Sequence, residues 1–329
     1  GTEQDPYLIS SLIDLQAVSE ASSYWNDFLV QTTDIDASAT STWNGGEGFS
    51  PIGNFSPQFT GSYDGNGHTI DAIYINQTWG FNVGFFGNTS GAIIQNLGLT
   101  SLNITSYSTT AGMVASSMNS TISNCYTAGS ISGDGTTGGL CGSLNGGSIS
   151  NCYSTASVSG VNYSGGLAGV CVGTSTITNS FSTGSVTGSS FSGGLIGTKA
   201  ATATATNSFW DITTSGQATS ELGIGKTTEE MKTQSTFTDA GWDLVGETTN
   251  GTDDIWSIDG SNNSGYIWLT WEGYSPVNNT WDGSESTDFM DKDNWSLVFI
   301  PNLLNNVIVS SGGNQPTLSG NKNVTINDL

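Results

Sequence analysis

The feature that most constrains this chain is a repeat. Gly-Gly-Leu-Cys-Gly at 138–142 recurs as Gly-Gly-Leu-Ala-Gly at 165–169 and Gly-Gly-Leu-Ile-Gly at 193–197. Val-Gly-Phe-Phe-Gly at 83–87 and Ala-Gly-Met-Val-Ala at 111–115 are looser copies. About ten residues after each comes a second signature: Ile94-Gln95-Asn96-Leu97, Ile122-Ser123-Asn124-Cys125-Tyr126, Ile149-Ser150-Asn151-Cys152-Tyr153, Ile177-Thr178-Asn179-Ser180-Phe181 and Ala205-Thr206-Asn207-Ser208-Phe209. Successive asparagines (96, 124, 151, 179, 207) are 27 or 28 residues apart. Within a copy the apolar residues alternate, which is the period of a strand, and Gly and Ser/Thr clusters supply the corners. A strand–corner–strand unit with both edges open is not stable alone. Stacked on copies of itself at about 4.8 Å with parallel pairing, it becomes one coil of a solenoid. The spacing predicts an all-β fold, a parallel β-helix of 27–28-residue coils with core repeats at about 83–210.

The stacking also assigns roles within each coil. Ile122, Ile149 and Ile177 should form an interior aliphatic column, with Tyr126, Tyr153, Phe181 and Phe209 as an aromatic one. Asn124, Asn151, Asn179 and Asn207 should form a structural amide ladder at a corner. Thr121 and Ser123, Ser148 and Ser150, Thr176 and Thr178, and Thr204 and Thr206 should face outward as two hydroxyl columns. Such a ladder solvates a sheet; ice binding by it is a minor reading.

The Gly-Gly-Leu-x-Gly and Ile-x-Asn-x-Tyr-Ser-Thr-Gly-x-Val pattern resembles the GLUG repeat of bacterial and archaeal surface proteins, among them adhesin-like and IgA-peptidase-associated chains. The resemblance extends to about residues 1–275. Asp5-Pro6-Tyr7-Leu8-Ile9 and Leu12-Ile13-Asp14-Leu15-Gln16 look like that family's opening strand and N-terminal capping helix, within a cap of about 1–50. Pro51-Ile52-Gly53 and Phe59 to Ile70 look like its first coils. Thr227-Thr228-Glu229-Glu230-Met231, Gly241-Trp242-Asp243, Ile255-Trp256-Ser257-Ile258 and Gly265-Tyr266 look like its closing segment, about 211–275. Residues 276–329, with Trp281-Asp282-Gly283 and Asn294-Trp295, resemble the start of a second β-rich extracellular module after a linker at 275–279. The final Asn323 to Leu329 reads as a strand in mid-course, so the natural chain is expected to continue. The family is defined by architecture, so the resemblance implies a fold more strongly than a reaction.

Charge narrows the function. The chain of 329 residues carries 28 acidic residues and five cations, a formal net charge of −23. All five cations are lysines (Lys199, Lys226, Lys232, Lys292, Lys322) and there is no arginine. Nucleic-acid binding needs clustered cations, so no nucleic-acid partner is expected. Phosphate clamps and anionic membrane surfaces are disfavoured on the same ground. No apolar run reaches the length of a membrane span, so no membrane insertion is expected. Between residues 83 and 210 the only charged residues are Asp134 and Lys199, which leaves the coils without an acid–base pair. The acids crowd the two flanks instead. His68, the single histidine, lies in Asp64-Gly65-Asn66-Gly67-His68, a turn sequence in which Asp64 is the nearest candidate partner. No catalytic, cofactor or metal site is expected. Asp34-Ile35-Asp36 and Asp291-Lys292-Asp293 lack the glycine and distal Glu of a calcium loop, so calcium is an unspecific option.

The remaining candidates are Cys125 and Cys152, Trp268 and Trp271, and the sequons. The two cysteines share one slot in successive coils, at a spacing that allows either a disulfide or a pair of stacked thiols. Cys141 should face away from Leu144, whose slot in the next coil holds Cys171, so those two thiols should not meet. Trp268-Leu269-Thr270-Trp271 reads either as a glycan contact or as part of a cap closing the solenoid. Sequons begin at Asn54, Asn76, Asn88, Asn103, Asn119, Asn162, Asn250, Asn262, Asn278, Asn294 and Asn323, close to what chance places in so Ser/Thr-rich a chain. These readings converge on a secreted, non-enzymatic surface solenoid, a stalk, adhesin or fibre subunit that self-associates or meets another surface or glycan ligand. The alternative is a polysaccharide-binding module using the Trp-rich flanks, and the less favoured one a carbohydrate-active enzyme.

Overall fold

The computed structural model describes residues 1–77, 80–188 and 190–274, together with the backbone of two parallel-paired strands, Asn278–Trp281 and Asn306–Val309. The chain divides into two compact units, Gly1–Met231 and Lys232–Leu329. The division falls inside 211–275: residues up to Met231 pack with the coils and Lys232 onward packs separately. Most of 276–329 lies outside the described residues.

The first unit is a parallel β-solenoid. One face is a five-stranded ladder of Phe86–Ser90, Val114–Met118, Cys141–Asn145, Ala168–Val172 and Ile196–Lys199. A second ladder stacks Thr110–Ala111, Thr136–Gly138, Tyr163–Gly165 and Phe191–Gly193. The largest sheet bends at the asparagine corner. Before the bend it stacks Ile122, Ile149, Ile177 and Ala205 in register, and after it Tyr126, Tyr153, Phe181 and Phe209. The N-terminal strands Tyr7–Ile9, Phe28–Gln31 and Ser62–Asp71 extend the same sheet down to Ile93–Ser106.

Sequence explains the corners. A Cβ on Gly138 would collide with the carbonyl oxygen of Cys141, and one on Gly139 with that of Gly166 in the next coil. The first two glycines of the Gly-Gly-Leu signature are therefore set by close backbone approach, and Leu140, Leu167 and Leu195 then enter the core fully buried. The helix Leu12–Glu20 starts at Ser11, whose side chain accepts the N–H of Asp14. It buries Leu15 and Val18 in the core, where Trp25 Nε1 donates to Val18 O at 2.8 Å.

In the second unit, Trp256–Ser257 pairs antiparallel with Trp268–Leu269. Its core is aromatic: Phe237 lies 4.9 Å from Trp242, and Trp242 lies 4.7 Å from Trp256. No described helix is long and apolar enough to cross a membrane.

Candidate functional site

Cys125 and Cys152 sit in an interior slot continued by Ser180 and Ser208. In each case the side-chain chalcogen donates to the carbonyl two residues earlier: Cys125 Sγ to Ser123 O and Cys152 Sγ to Ser150 O at 3.1 Å each, Ser180 Oγ to Thr178 O at 2.7 Å and Ser208 Oγ to Thr206 O at 2.9 Å. It also accepts the backbone N–H of the slot one coil earlier: Cys125 N to Cys152 Sγ (3.4 Å), Cys152 N to Ser180 Oγ (3.2 Å) and Ser180 N to Ser208 Oγ (3.3 Å). Thiol and hydroxyl do the same work in this column, and all four cysteines are free. Burial pushes the Cys125 thiol well above its ordinary range, reinforced by its hydrogen-bonded neighbour Cys152. Burial raises Cys141 likewise and pushes Cys171 up to about 12.

The register pairs Cys141 with Ala168 and Leu144 with Cys171, yet the expected opposite facing of Cys141 and Leu144 is corrected: both are buried. The register runs unbroken through Gly142, but Cys141, Gly142 and Leu144 are all buried, so burial along this strand does not follow strict alternation. Cys141 and Cys171 are both buried, so both thiols share the interior.

Asn96, Asn124, Asn151, Asn179 and Asn207 all adopt left-handed backbone, with φ between 46° and 52°. Asparagine tolerates this conformation better than other residues with a Cβ, which accounts for its recurrence. The N–H groups of Asn124, Asn151 and Asn179 donate to Ser150, Thr178 and Thr206 O in the next coil. Between side chains, Asn124 Nδ2 donates to Asn96 Oδ1 (3.2 Å), and Asn96 Nδ2 to Asp64 Oδ1 (3.0 Å). Beside this corner the Tyr126, Tyr153 and Phe181 rings stack at 4.9 and 4.8 Å, within 5° of parallel.

Asp64 is thus a corner residue, and it also accepts from Gln95 Nε2 and from the Asn66 N–H, each at 2.8 Å. The expected partnership of Asp64 with His68 is corrected: His68 Nδ1 faces Asp34 Oδ1 at 3.4 Å, at the surface. Asp34 also accepts the Thr69 N–H. The long sequence separation of Asp34 and His68 hid this contact; only the pairing of Ile35 with Ile70 brings the two together. Among the described residues no hydroxyl or thiol is hydrogen-bonded to the imidazole, and no group of three or more His, Cys, Asp or Glu could hold a metal ion. Asp36 is tied up by the Ser38 N–H (2.8 Å); Asp291 and Asp293 lie outside the described residues. The buried acids of the second unit accept backbone N–H groups: Asp243 from Asp253 and Asp254, Asp259 from Ser261 and Asn262.

Trp268 is only 2% exposed and packs edge-on against Tyr274 at 5.3 Å, so its face is not presented to a sugar; Trp271 is half-buried. Burial in the second unit's core explains the correction. An aromatic pair with an exposed ring lies on the coils: half-buried Tyr163 stacks on Phe191 at 5.2 Å, and Phe191 is 56% exposed. The hydroxyl columns are in register as Thr121, Ser148, Thr176, Thr204 and Ser123, Ser150, Thr178, Thr206, all half-buried or exposed.

No protein-family model matches the chain. The chain is 41% identical over 140 residues to halomucin of Haloquadratum walsbyi, covering 41% of this chain and 2% of that protein. It is 36% identical over 107 residues, 32% of its length, to a provisionally named Gly-rich membrane protein of Evansella cellulosilytica, of which it covers 12%. The chain thus spans a small part of the curated relatives it matches. Among solved structures it resembles a protein from Bacteroides ovatus provisionally named an immunoglobulin A1 protease, with a TM-score of 0.58 over 82% of this chain and 94% of that one. At 18% identity that likeness is one of fold.

Proposed function

We propose that the chain is a non-enzymatic GLUG-type solenoid segment of a larger cell-surface or extracellular protein, acting as a stiff stalk or fibre subunit. One observation carries this reading. The coils of residues 83–210 stack in continuous register and turn outward columns of uncharged hydroxyls, with Asp134 and Lys199 their only charges. A stacked parallel ladder is stiff along its axis, and an uncharged face meets neighbours by shape and hydrogen bonding. The similarity to halomucin and to a protein named for a membrane supports a surface location. The protease name borne by the structural neighbour is not carried over, because among the described residues the surface Asp34–His68 pair has no hydroxyl or thiol on the imidazole to serve as the nucleophile of acyl transfer. Negative-stain microscopy of the purified chain, with peptidase and glycosidase panels run beside it, tests the proposal. Rods or filaments without turnover are expected. Turnover abolished by His68→Ala or Asp34→Ala would overturn it.

Exposed Phe191, stacked on Tyr163, favours a second reading, a polysaccharide contact on the coils rather than at the tryptophans. Retardation in an affinity gel that Phe191→Ala removes would support it.

A further inference from the structure

The sequence offers many sequons without ranking them, and the fold does rank them. Asn88 is buried, with Oδ1 accepting from Asn82 Nδ2 at 2.7 Å. Asn250 Nδ2 donates to Thr238 O and Trp242 O, and Asn262 Nδ2 to Asp259 Oδ2 at 2.7 Å. Asn162 is exposed, but its Nδ2 donates to Asp134 O at 2.8 Å. Asn54, Asn103 and Asn119 are exposed, and no hydrogen bond among the described residues engages their side-chain amides. These three differ in what surrounds them. Asn54 is followed by a Ser56–Pro57 turn and its N–H is bound to Pro57 O. Asn103 stands in mid-strand, with Tyr74 and Ser130 as its register neighbours on either side.

Asn119 stands at a corner with left-handed backbone, φ 49°. The register puts Gly91 in the same position one coil earlier and Gly146 and Gly173 one and two coils later. All three glycines share its positive φ. Asn119 is therefore the one residue with a side chain among these four corner positions. A Cβ at Gly91 would meet nothing within 4 Å, and one at Gly146 would collide with Asn119 Oδ1, so the amide reaches across space that the glycines leave open. Thr121, which supplies the sequon hydroxyl, is also exposed.

We propose that Asn119 is an acceptor for an N-linked glycan, donated by a lipid-pyrophosphate-linked oligosaccharide. In the transfer, Nδ2 forms a bond to the anomeric carbon of the first sugar. The bond from that carbon to phosphate oxygen breaks, the lipid pyrophosphate leaves with the electron pair, and an amide proton passes to a base of the transferase. No oxidation is involved. The glycan would project from the corner between Val114–Met118 and the Thr121–Ser123 strand. The proposal rests on the surface reading for its biological setting, since only an exported chain meets such a donor.

The test separates the two. The folded, purified chain is incubated with a single-subunit oligosaccharyltransferase of Asn-x-Ser/Thr specificity and its lipid-linked glycan, and occupancy is mapped by mass spectrometry. Because no cell is involved, the outcome is independent of where the protein resides, which localisation of the native chain settles separately. One glycan mass on the Asn119 peptide is expected, with Asn88, Asn250 and Asn262 unmodified. Thr121→Val should abolish it while leaving Asn119 in place, and Asn119→Gly should abolish it in a corner that already tolerates glycine one coil away. Two results would overturn the proposal: modification of a synthetic 115–125 peptide without modification of Asn119 in the folded chain, or equal occupancy at Asn88 and Asn119.

Discussion

The backbone N–H of Cys125 donates to the Sγ of Cys152 one coil further on, at 3.4 Å, in the geometry by which Ser180 N reaches Ser208 Oγ at 3.3 Å. The two thiols therefore act as interior hydroxyl equivalents, each Sγ donating to a carbonyl of its own coil, and the Cys152 Sγ accepting an N–H from the coil before.

It follows that Cys125→Ser and Cys152→Ser keep the ladder and change stability by less than about 1 kcal/mol, whereas Cys152→Ala strands the Cys125 N–H and costs about 1–3 kcal/mol. Urea denaturation of the three variants checks this. Equal losses for Ser and Ala at position 152 would contradict the ladder.

The raised thiols also set an alkaline limit. Cys125, Cys141 and Cys171 are neutral in the fold beyond the pH at which an unfolded thiol ionises, so above about pH 8.5 the unfolded state binds fewer protons and stability falls as pH rises. Each thiol contributes a loss of about 1.4 kcal/mol per pH unit until its folded-state pKa is reached, which for Cys171 is about 12. Melting temperature should be flat from pH 7 to 8 and decline steeply by pH 10. Replacing all three by Ser should flatten that decline, leaving the buried phenol of Tyr63, also raised by burial, to act at higher pH.

Asn151→Gly should be tolerated within about 1 kcal/mol, while Asn151→Val, whose branched Cβ resists φ 50°, should cost about 1–3 kcal/mol. Thermal melts of the pair provide the comparison. A more stable Val variant would refute the corner explanation.

Gly166→Ala should destabilise more than either Asn151 substitution, because its Cβ would collide with Gly194 O in the following coil, which no side-chain rotation can relieve. Hydrogen exchange should show lost protection at Leu167 and Ala168 N–H, both bound to Leu195 O. Protection unchanged there would mean that the coil spacing is looser than the structure requires.

Asp34→Asn should shift stability by no more than about 1 kcal/mol, since its contact with His68 is solvent-exposed, and the difference should vanish in high salt. Melts at low and high ionic strength measure it.

Much of this architecture was legible without coordinates. The 27–28-residue period, the aliphatic and aromatic columns and the outward hydroxyl pairs are properties of spacing, because parallel stacking places residues one period apart on top of each other. What spacing does not encode is what a side chain meets across the coil or at an irregular step. Cys141 and Leu144 are both buried although their spacing in the strand predicts opposite faces; His68 finds Asp34 rather than Asp64 because Asp64 is held by Gln95 and Asn96; Trp268 is hidden by the packing of the second unit. The equivalence of Cys and Ser in one slot shows the same limit, since it depends on hydrogen bonds running between coils. The sequence alone determined the repeat, the strand period and the neutrality of the coils. The tertiary structure decided which of the chemically capable side chains are buried, engaged or free, because burial and hydrogen-bond partners are set by contacts between residues far apart in the chain.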